Sequence, residues 1–241
     1  MLRIGFHLPE TERIARWNEI ATLCRTAEDV GFDSIWVPDH LIYRFEDQPP
    51  IGPWECWSLI SAIAGITNRV EIGPLVLCVN FRNPAMIAKM AATVDEISNG
   101  RLILGLGAGW HEPEYLAYGF DFAHRFGRFQ EAFTIIRTLL TEHAIDFEGT
   151  YFTLRDCELM PLGPRPEGPP LMIGSRGEKI LHATLPHVRY WNGWYAWSGN
   201  TTEGYAPLHA EVDAAAEGAG VKPESIVRTM AILLRFPHGS S

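Results

Sequence analysis

The residues with the most chemistry in reach lie in a few short runs. Asp39-His40 sets a carboxylate beside an imidazole, suited to holding a cofactor edge and to relaying a proton near neutral pH. The same pair reads equally well as a helix cap followed by a surface histidine. Gly105-Leu-Gly107-Ala108-Gly109 removes side chains, so that backbone N–H groups can approach an anion or a flat ring. It is not a dinucleotide fingerprint, because it follows the fourth strand and runs into Trp110-His111-Glu112-Pro113 instead of opening directly into a helix. Gly174-Ser175-Arg176-Gly177, ahead of a helix beginning at Glu178, joins small residues and one arginine at a helix N-terminus. Phosphate is the natural ligand of such a loop, and a tight turn with a solvent-facing arginine is the alternative. His7 on the first strand reads as a satisfied core histidine and, with Trp110 and Trp194, is also a candidate to face a substrate.

Other chemistries find no support. His111 with Glu112 and Glu114, and His182 with His187, match no metal-ligand spacing, so no metal is expected. No G-x-S-x-G nucleophile motif occurs. Twenty Lys and Arg against 29 Asp and Glu give a net charge of −9, which argues against a phosphate-backbone partner. Cys24, Cys56, Cys78 and Cys157 are widely spaced with no C-x-x-C pair, as expected of free thiols in the reducing cytoplasm. The N-terminus carries no signal-peptide pattern, and no apolar run reaches the ~18 residues that a membrane span needs. Eight tryptophans, among them Trp54 and Trp57 in the loop after the second strand, can wall an apolar pocket or simply pack.

These residues need elements to position them. With 241 residues, 46% of them hydrophobic, the chain is expected to form one domain with a sizeable core. Seven apolar runs read as strands: 2–8, 34–38, 70–79, 102–106, 170–174, 189–194 and 226–236. Between them lie helix-period segments. Ile14, Trp17, Ala21, Cys24 and Ala27 mark one that stops near Gly31, and Met86, Ile87, Met90, Val94 and Ile97 mark one capped by Asn83-Pro84 and ended by Asn99-Gly100. Phe129, Phe133, Ile136 and Leu140 mark the next, and 203–218 is an Ala-rich helix. Residues 147–169 form an excursion containing a short hairpin and a Pro/Gly-rich loop. This α/β alternation suits a TIM-type (β/α)8 barrel better than an open doubly wound sheet, with the polar runs at the carboxyl ends of the strands. Seven strands leave it one β/α unit short, so further residues, or a partner covering the open edge, are expected.

Taken in order, Ala27-Glu28-x-x-Gly31-Phe-Asp33-Ser34-Ile-Trp-Val-Pro-Asp39-His40, Phe81-Arg82-Asn83-Pro84, Leu-Gly-Ala-Gly-Trp110 followed by Glu114-Tyr115-x-x-Tyr118-Gly119, and Asn192-Gly193-Trp194 span nearly the whole chain. This set resembles the luciferase-like monooxygenase family of (β/α)8 flavin and deazaflavin enzymes, particularly its branch using the 5-deazaflavin coenzyme F420. The resemblance implies hydride transfer between the deazaflavin and an organic substrate. It also implies a non-prolyl cis peptide at Leu75-Val76 behind the ring, with Cys78 near the ring's polar edge. Asp39 and His40 match residues contacting the ring near the reacting carbon, Asp39 and His40 being the catalytic candidates. Gly107, Ala108 and Gly109, and Gly174, Ser175, Arg176 and Gly177, match loops on the ribityl and phosphate portions. The rival functions are an FMN-dependent monooxygenase using oxygen and a catalytically silent flavin-binding protein. Sugar-phosphate dehydrogenases of the branch have a Trp and a Glu where Arg44 and Trp110 stand here, so that substrate is not expected. The family continues beyond the point where this chain ends at Ser241 and tends to pair barrels through outer helices, so a homodimer is expected.

Overall fold

A computed structural model describes residues 2–11 and 13–235. The chain forms two compact units, residues 1–171 and 172–241. The last predicted strand, 226–236, extends at Phe236 outside the described residues.

In the first unit, β1 (Gly5–His7), β2 (Ser34–Val37) and β3 (Glu71–Pro74) pair in parallel, with Phe6 opposite Ile35 and Ile35 opposite Ile72. β4 (Leu77–Cys78) and β5 (Leu104–Gly107) form a second parallel pair. The expected single strand over 70–79 is therefore two short ones, separated by a cis Leu75–Val76 peptide. Strand packing here depends on missing side chains. A Cβ on Gly73 would lie 2.1 Å from the Ile103 carbonyl oxygen, and one on Gly105 would lie 2.3 Å from that of Pro74.

The helices between these strands follow from capping and periodicity. α1 (Trp17–Asp29) buries Ile20, Ala21, Cys24 and Ala27, and Gly31 takes the left-handed position just beyond its end, at φ +99°. Ile14, counted in this helix from its spacing, lies ahead of it and is exposed. α2 (Cys56–Ile66) corrects the expected loop. Trp57 is inside a helix that is apolar on nearly every side, and Glu55 caps it by accepting from the Trp57 and Ser58 amides. α3 (Pro84–Ile97) starts as expected, with Asn83 accepting from the Ala85 and Met86 amides. Its buried face keeps the expected Ile87 and Val94 and otherwise differs. Ile87, Ala88, Ala91, Ala92, Val94 and Asp95 point inward, while Met86 and Ile97 are exposed. Short alanines let the helix pack closely against α2 and its other neighbours, and Met86 is left for the outer face.

α4 (Glu112–Tyr118) and α5 (Arg125–Glu142) follow β5. The excursion then forms the antiparallel hairpin β6 (Ala144–Glu148) and β7 (Thr153–Glu158), whose turn amides at 150, 151 and 152 all donate to the Glu131 carboxylate of α5. The loop beyond is pinned to α3 by a buried ion pair between Arg165 and Asp95. In the second unit, β8 (Leu171–Ile173), β9 (Tyr190–Trp194) and β10 (Val227–Ala231) pair in parallel, with α6 (Glu178–Thr184) and α7 (Thr202–Gly218) between them. No helix among the described residues is long and apolar enough to cross a membrane.

The corrected face of α3 gives a direct test. Ala88→Leu forces extra volume into a fully buried position and is expected to cost about 1–3 kcal/mol, whereas Met86→Leu on the exposed face should stay within about 0.5 kcal/mol. Urea denaturation of both variants checks this, and equal costs would return Met86 to the core.

Candidate functional site

The carboxyl ends of β2, β4 and β5 are joined by two polar networks. The first centres on Asp39, which is 4% exposed. Its Oδ2 accepts from the Cys78 amide and from Arg82 Nη1, both at 2.8 Å, and its Oδ1 accepts from Arg82 Nη2 at 2.9 Å. Arg82 also donates to Glu55, so one guanidinium joins the end of β2, the start of α3 and the cap of α2. Burial pushes the Asp39 carboxyl upward against the pull of Arg82. The geometry is nonetheless that of an ionised group, since three donors point at it and nothing near it accepts. For Arg82, burial alone lowers the pKa, but Asp39 more than reverses this and fixes the positive charge.

The second network grips the residues after Asp39. Glu114 on α4, 1% exposed, accepts the Leu41 amide at 2.9 Å through Oε2 and faces His40 Nδ1 at 3.0 Å through Oε1. The His40 ring lies 4.4 Å from Tyr43 and meets Trp110 edge to face at 5.7 Å. The Arg44 amide donates to His111 Nε2. Burial lowers the His111 imidazole from its ordinary value, with Glu114 opposing and His40 adding to the effect.

Below these, Cys78, Tyr115 and Ala108 form a relay. Burial pushes the Cys78 thiol up to about 12 and the Tyr115 phenol higher still, so both are protonated at neutral pH. Tyr115 donates to the Ala108 carbonyl at 2.6 Å and lies 3.0 Å from Cys78 Sγ, which leaves the thiol as donor in that contact. Gly109 must be glycine: its φ is +72°, and a Cβ there would lie 2.4 Å from the Tyr115 hydroxyl. Asn80 donates to Ala108 and to the Arg125 carbonyl, while its Oδ1 is buried with no partner among the described residues.

The first unit thus brings together His7, Asp39, His40, Leu75, Val76, Cys78, Gly107, Ala108, Gly109 and Trp110. Asp39 is already engaged by its neighbours. Both its oxygens are committed to Arg82 and the Cys78 amide, and its side chain is enclosed. In the second unit, the Ser175 hydroxyl accepts from the Gly177 amide, and Arg176 pairs with Glu211 through both its Nε and Nη2. That pair is roughly half exposed and worth at most about 1 kcal/mol. Trp191 Nε1 donates to the Ser175 carbonyl and fixes the loop from behind, and Trp194 is 37% exposed at the end of β9.

Residues 3–235 match the family model described as luciferase-like monooxygenase. The chain belongs to this family. It is 35% identical, over 98% of its length and 70% of the relative's, to the F420-dependent glucose-6-phosphate dehydrogenase of Amycolatopsis mediterranei (strain U-32). It is 33% identical, over 74% of its length, to the pyrimidine monooxygenase RutA of Cronobacter sakazakii (strain ATCC BAA-894), of which it covers 53%. Among solved structures, an F420-dependent secondary alcohol dehydrogenase in complex with an F420-acetone adduct superimposes with a TM-score of 0.77 at 26% identity, covering 95% of this chain and 68% of that one. The fold is the family's α/β TIM-type (β/α)8 barrel. These relatives are enzymes, and the chain spans between about half and seven tenths of their length.

Glu55, Asn80, Arg82, Glu114 and Tyr115 are the polar residues that the site-residue reading of the sequence left out. Arg82, Glu114 and Tyr115 stand in the family motif, which was the available signal for them; Glu55 shows only as a carboxylate ahead of an apolar run.

Two outcomes follow. Arg82→Met strands the buried Asp39 charge and is expected to cost about 3–5 kcal/mol, most of it recovered in Arg82→Met combined with Asp39→Asn; urea denaturation decides, and a single variant as stable as wild type would remove the pair from its central role. Burial also lowers the His7 imidazole below 6.5, against the pull of its Leu8 carbonyl bond. A depressed histidine contributes fully above the unfolded value and loses its contribution as pH falls through 6.5 toward the folded one. His7→Gln should therefore flatten the decline of stability between about pH 7 and 5, measured by denaturation at stepped pH. A slope equal to that of the wild type would place His7 outside this effect.

Proposed function

We propose that this chain is an oxidoreductase transferring a hydride between coenzyme F420 and a small organic substrate. The observation that carries the proposal is the His40 imidazole, backed by the buried Glu114 carboxylate and set against Trp110, in a chain so similar to an F420-dependent dehydrogenase. The residues present fit such a cofactor. Asn80 Oδ1 is a buried acceptor awaiting a donor, and Trp110, 60% exposed, offers an open aromatic face. Leu75, Val76 and Cys78 would support the ring, and the backbone of Gly107, Ala108 and Gly109 its neighbouring polar portion. In the second unit, the 174–177 loop by itself is a candidate for an anionic group, through Arg176 released from Glu211.

When bound, the deazaflavin supplies a carbon that takes up or releases a hydride. His40 holds the proton that accompanies it, leaving or joining the substrate oxygen. Asp39 acts from behind, keeping the Cys78 amide in place through Oδ2. Trp110 offers the substrate an apolar wall.

Titrating the protein separately with F420 and FMN, followed by absorbance and fluorescence, tests this directly. F420 should be retained and FMN not. His40→Ala should slow single-turnover hydride transfer by about 10²-fold or more with cofactor affinity within a few-fold, and Ser175→Asp should weaken F420 by setting a like charge against its phosphate. Unchanged affinity in Ser175→Asp would reduce the loop to a turn. Retention of reduced FMN with oxygen consumption would make the chain a monooxygenase, and retention without turnover a silent flavin-binding protein.

A further inference from the structure

Three imidazoles surround the candidate site, and the hydrogen bond on one nitrogen of each fixes its tautomer. His7 Nδ1 faces the Leu8 carbonyl oxygen at 2.8 Å; a carbonyl only accepts, so Nδ1 carries the hydrogen and Nε2 the lone pair. His111 is the reverse, because the Arg44 amide donates to its Nε2 and occupies that lone pair. His40 faces Glu114 through Nδ1, and an ionised carboxylate also only accepts, so His40 Nε2 is left as a free lone pair. His7 and His40 are therefore the two bases available, and they differ in what stands behind them. His7 is backed by a neutral carbonyl and held uncharged by burial; His40 is backed by a carboxylate that compensates the cation formed when it takes a proton.

The Leu41 amide is the second half of the device. It donates to Glu114 Oε2 from the residue directly after His40, so one carboxylate holds both the backbone and the ring orientation of the histidine. It also dictates what a neutral replacement would do. In Glu114→Gln, the amide oxygen must turn to the Leu41 N–H, since the alternative sets two donors against each other. The amide nitrogen then faces His40 Nδ1, which must become the acceptor, and the hydrogen moves to Nε2.

We infer that Glu114 is a positioning residue that sets the tautomer of His40 and compensates its charge, making His40 Nε2 the atom that takes the substrate's hydroxyl proton. This rests on the proposed hydride transfer. As an alcohol is oxidised, its C–H bond breaks with both electrons going to the deazaflavin carbon; the O–H bond breaks, its proton going to Nε2; and a C=O double bond forms. The reduction runs the same transfers backwards.

The test begins on the cofactor-free protein, by nitrogen NMR of the His40 ring. The wild type should show hydrogen on Nδ1 and a bare Nε2, and Glu114→Gln should show the reverse. With F420 and a small secondary alcohol, Glu114→Gln should lose about 10²–10⁴-fold in kcat with KM and cofactor affinity changed by less than about threefold. Glu114→Asp, which keeps the carboxylate, should restore the wild-type tautomer and part of the rate, and it carries the test alone if Glu114→Gln does not fold. An unchanged tautomer in Glu114→Gln, the Nε2–H form in the wild type or in Glu114→Asp, or losses of kcat and affinity in equal proportion would overturn the inference. A protein that shows the expected tautomers but binds no F420 would overturn the proposed reaction while leaving the tautomer-setting role of Glu114 standing.

Discussion

The Asp39–Arg82 ion pair is the constraint on which the rest of the site depends. Two charges withdrawn from water are expensive, and what offsets the cost is a set of directed hydrogen bonds: the guanidinium meets the carboxylate as a fork, the Cys78 amide takes a third place, and Glu55 accepts a further bond from Arg82 Nη2. Because these groups come from four different segments, the pair fixes where the end of β2 lies relative to the cis bulge before β4 and to the starts of α2 and α3. An apolar cluster of the same volume would bury the same surface, but it would not fix directions. Direction is what the neighbouring His40 requires.

From that point the polarity is graded. Asp39 and Glu114 are enclosed; His40 is partly open; Trp110 is mostly exposed. Carboxylates thus lie behind and aromatic surface in front, so the charge that steers the imidazole is screened little by water, while the substrate meets an apolar wall. Cys78 and Tyr115 add rigidity without reactivity, since burial keeps both protonated and their hydrogens are spent on one another and on the Ala108 carbonyl.

The sequence was legible where one residue type carries a local meaning. Asn83-Pro84 announced the start of α3, Gly31 the end of α1, and the apolar runs the strands, because caps, left-handed glycines and buried strands are each decided within a few residues. It was illegible where partners are far apart in the chain. Nothing near Asp39 announces that Arg82, 43 positions away, engages it, and nothing near Glu114 announces that its partner is 74 positions away. The inward face of α3 was misjudged for a related reason: hydropathy favours Met86 over Ala88, but the close approach of the helix to its neighbours leaves room only for the alanine. α2 escaped because a helix apolar on nearly every side has no periodicity to detect.

The hairpin of β6 and β7 stands apart from all this. Its strands bury little, and its turn is held to α5 by one carboxylate, that of Glu131, which takes three successive amides. Nothing in the networks around His40 passes through it. Its tip is accordingly a place where inserted sequence, a fluorescent reporter or an affinity tag, would be carried by the chain without being felt at the site, and where a lineage could lengthen or trim the polypeptide at little cost to its chemistry.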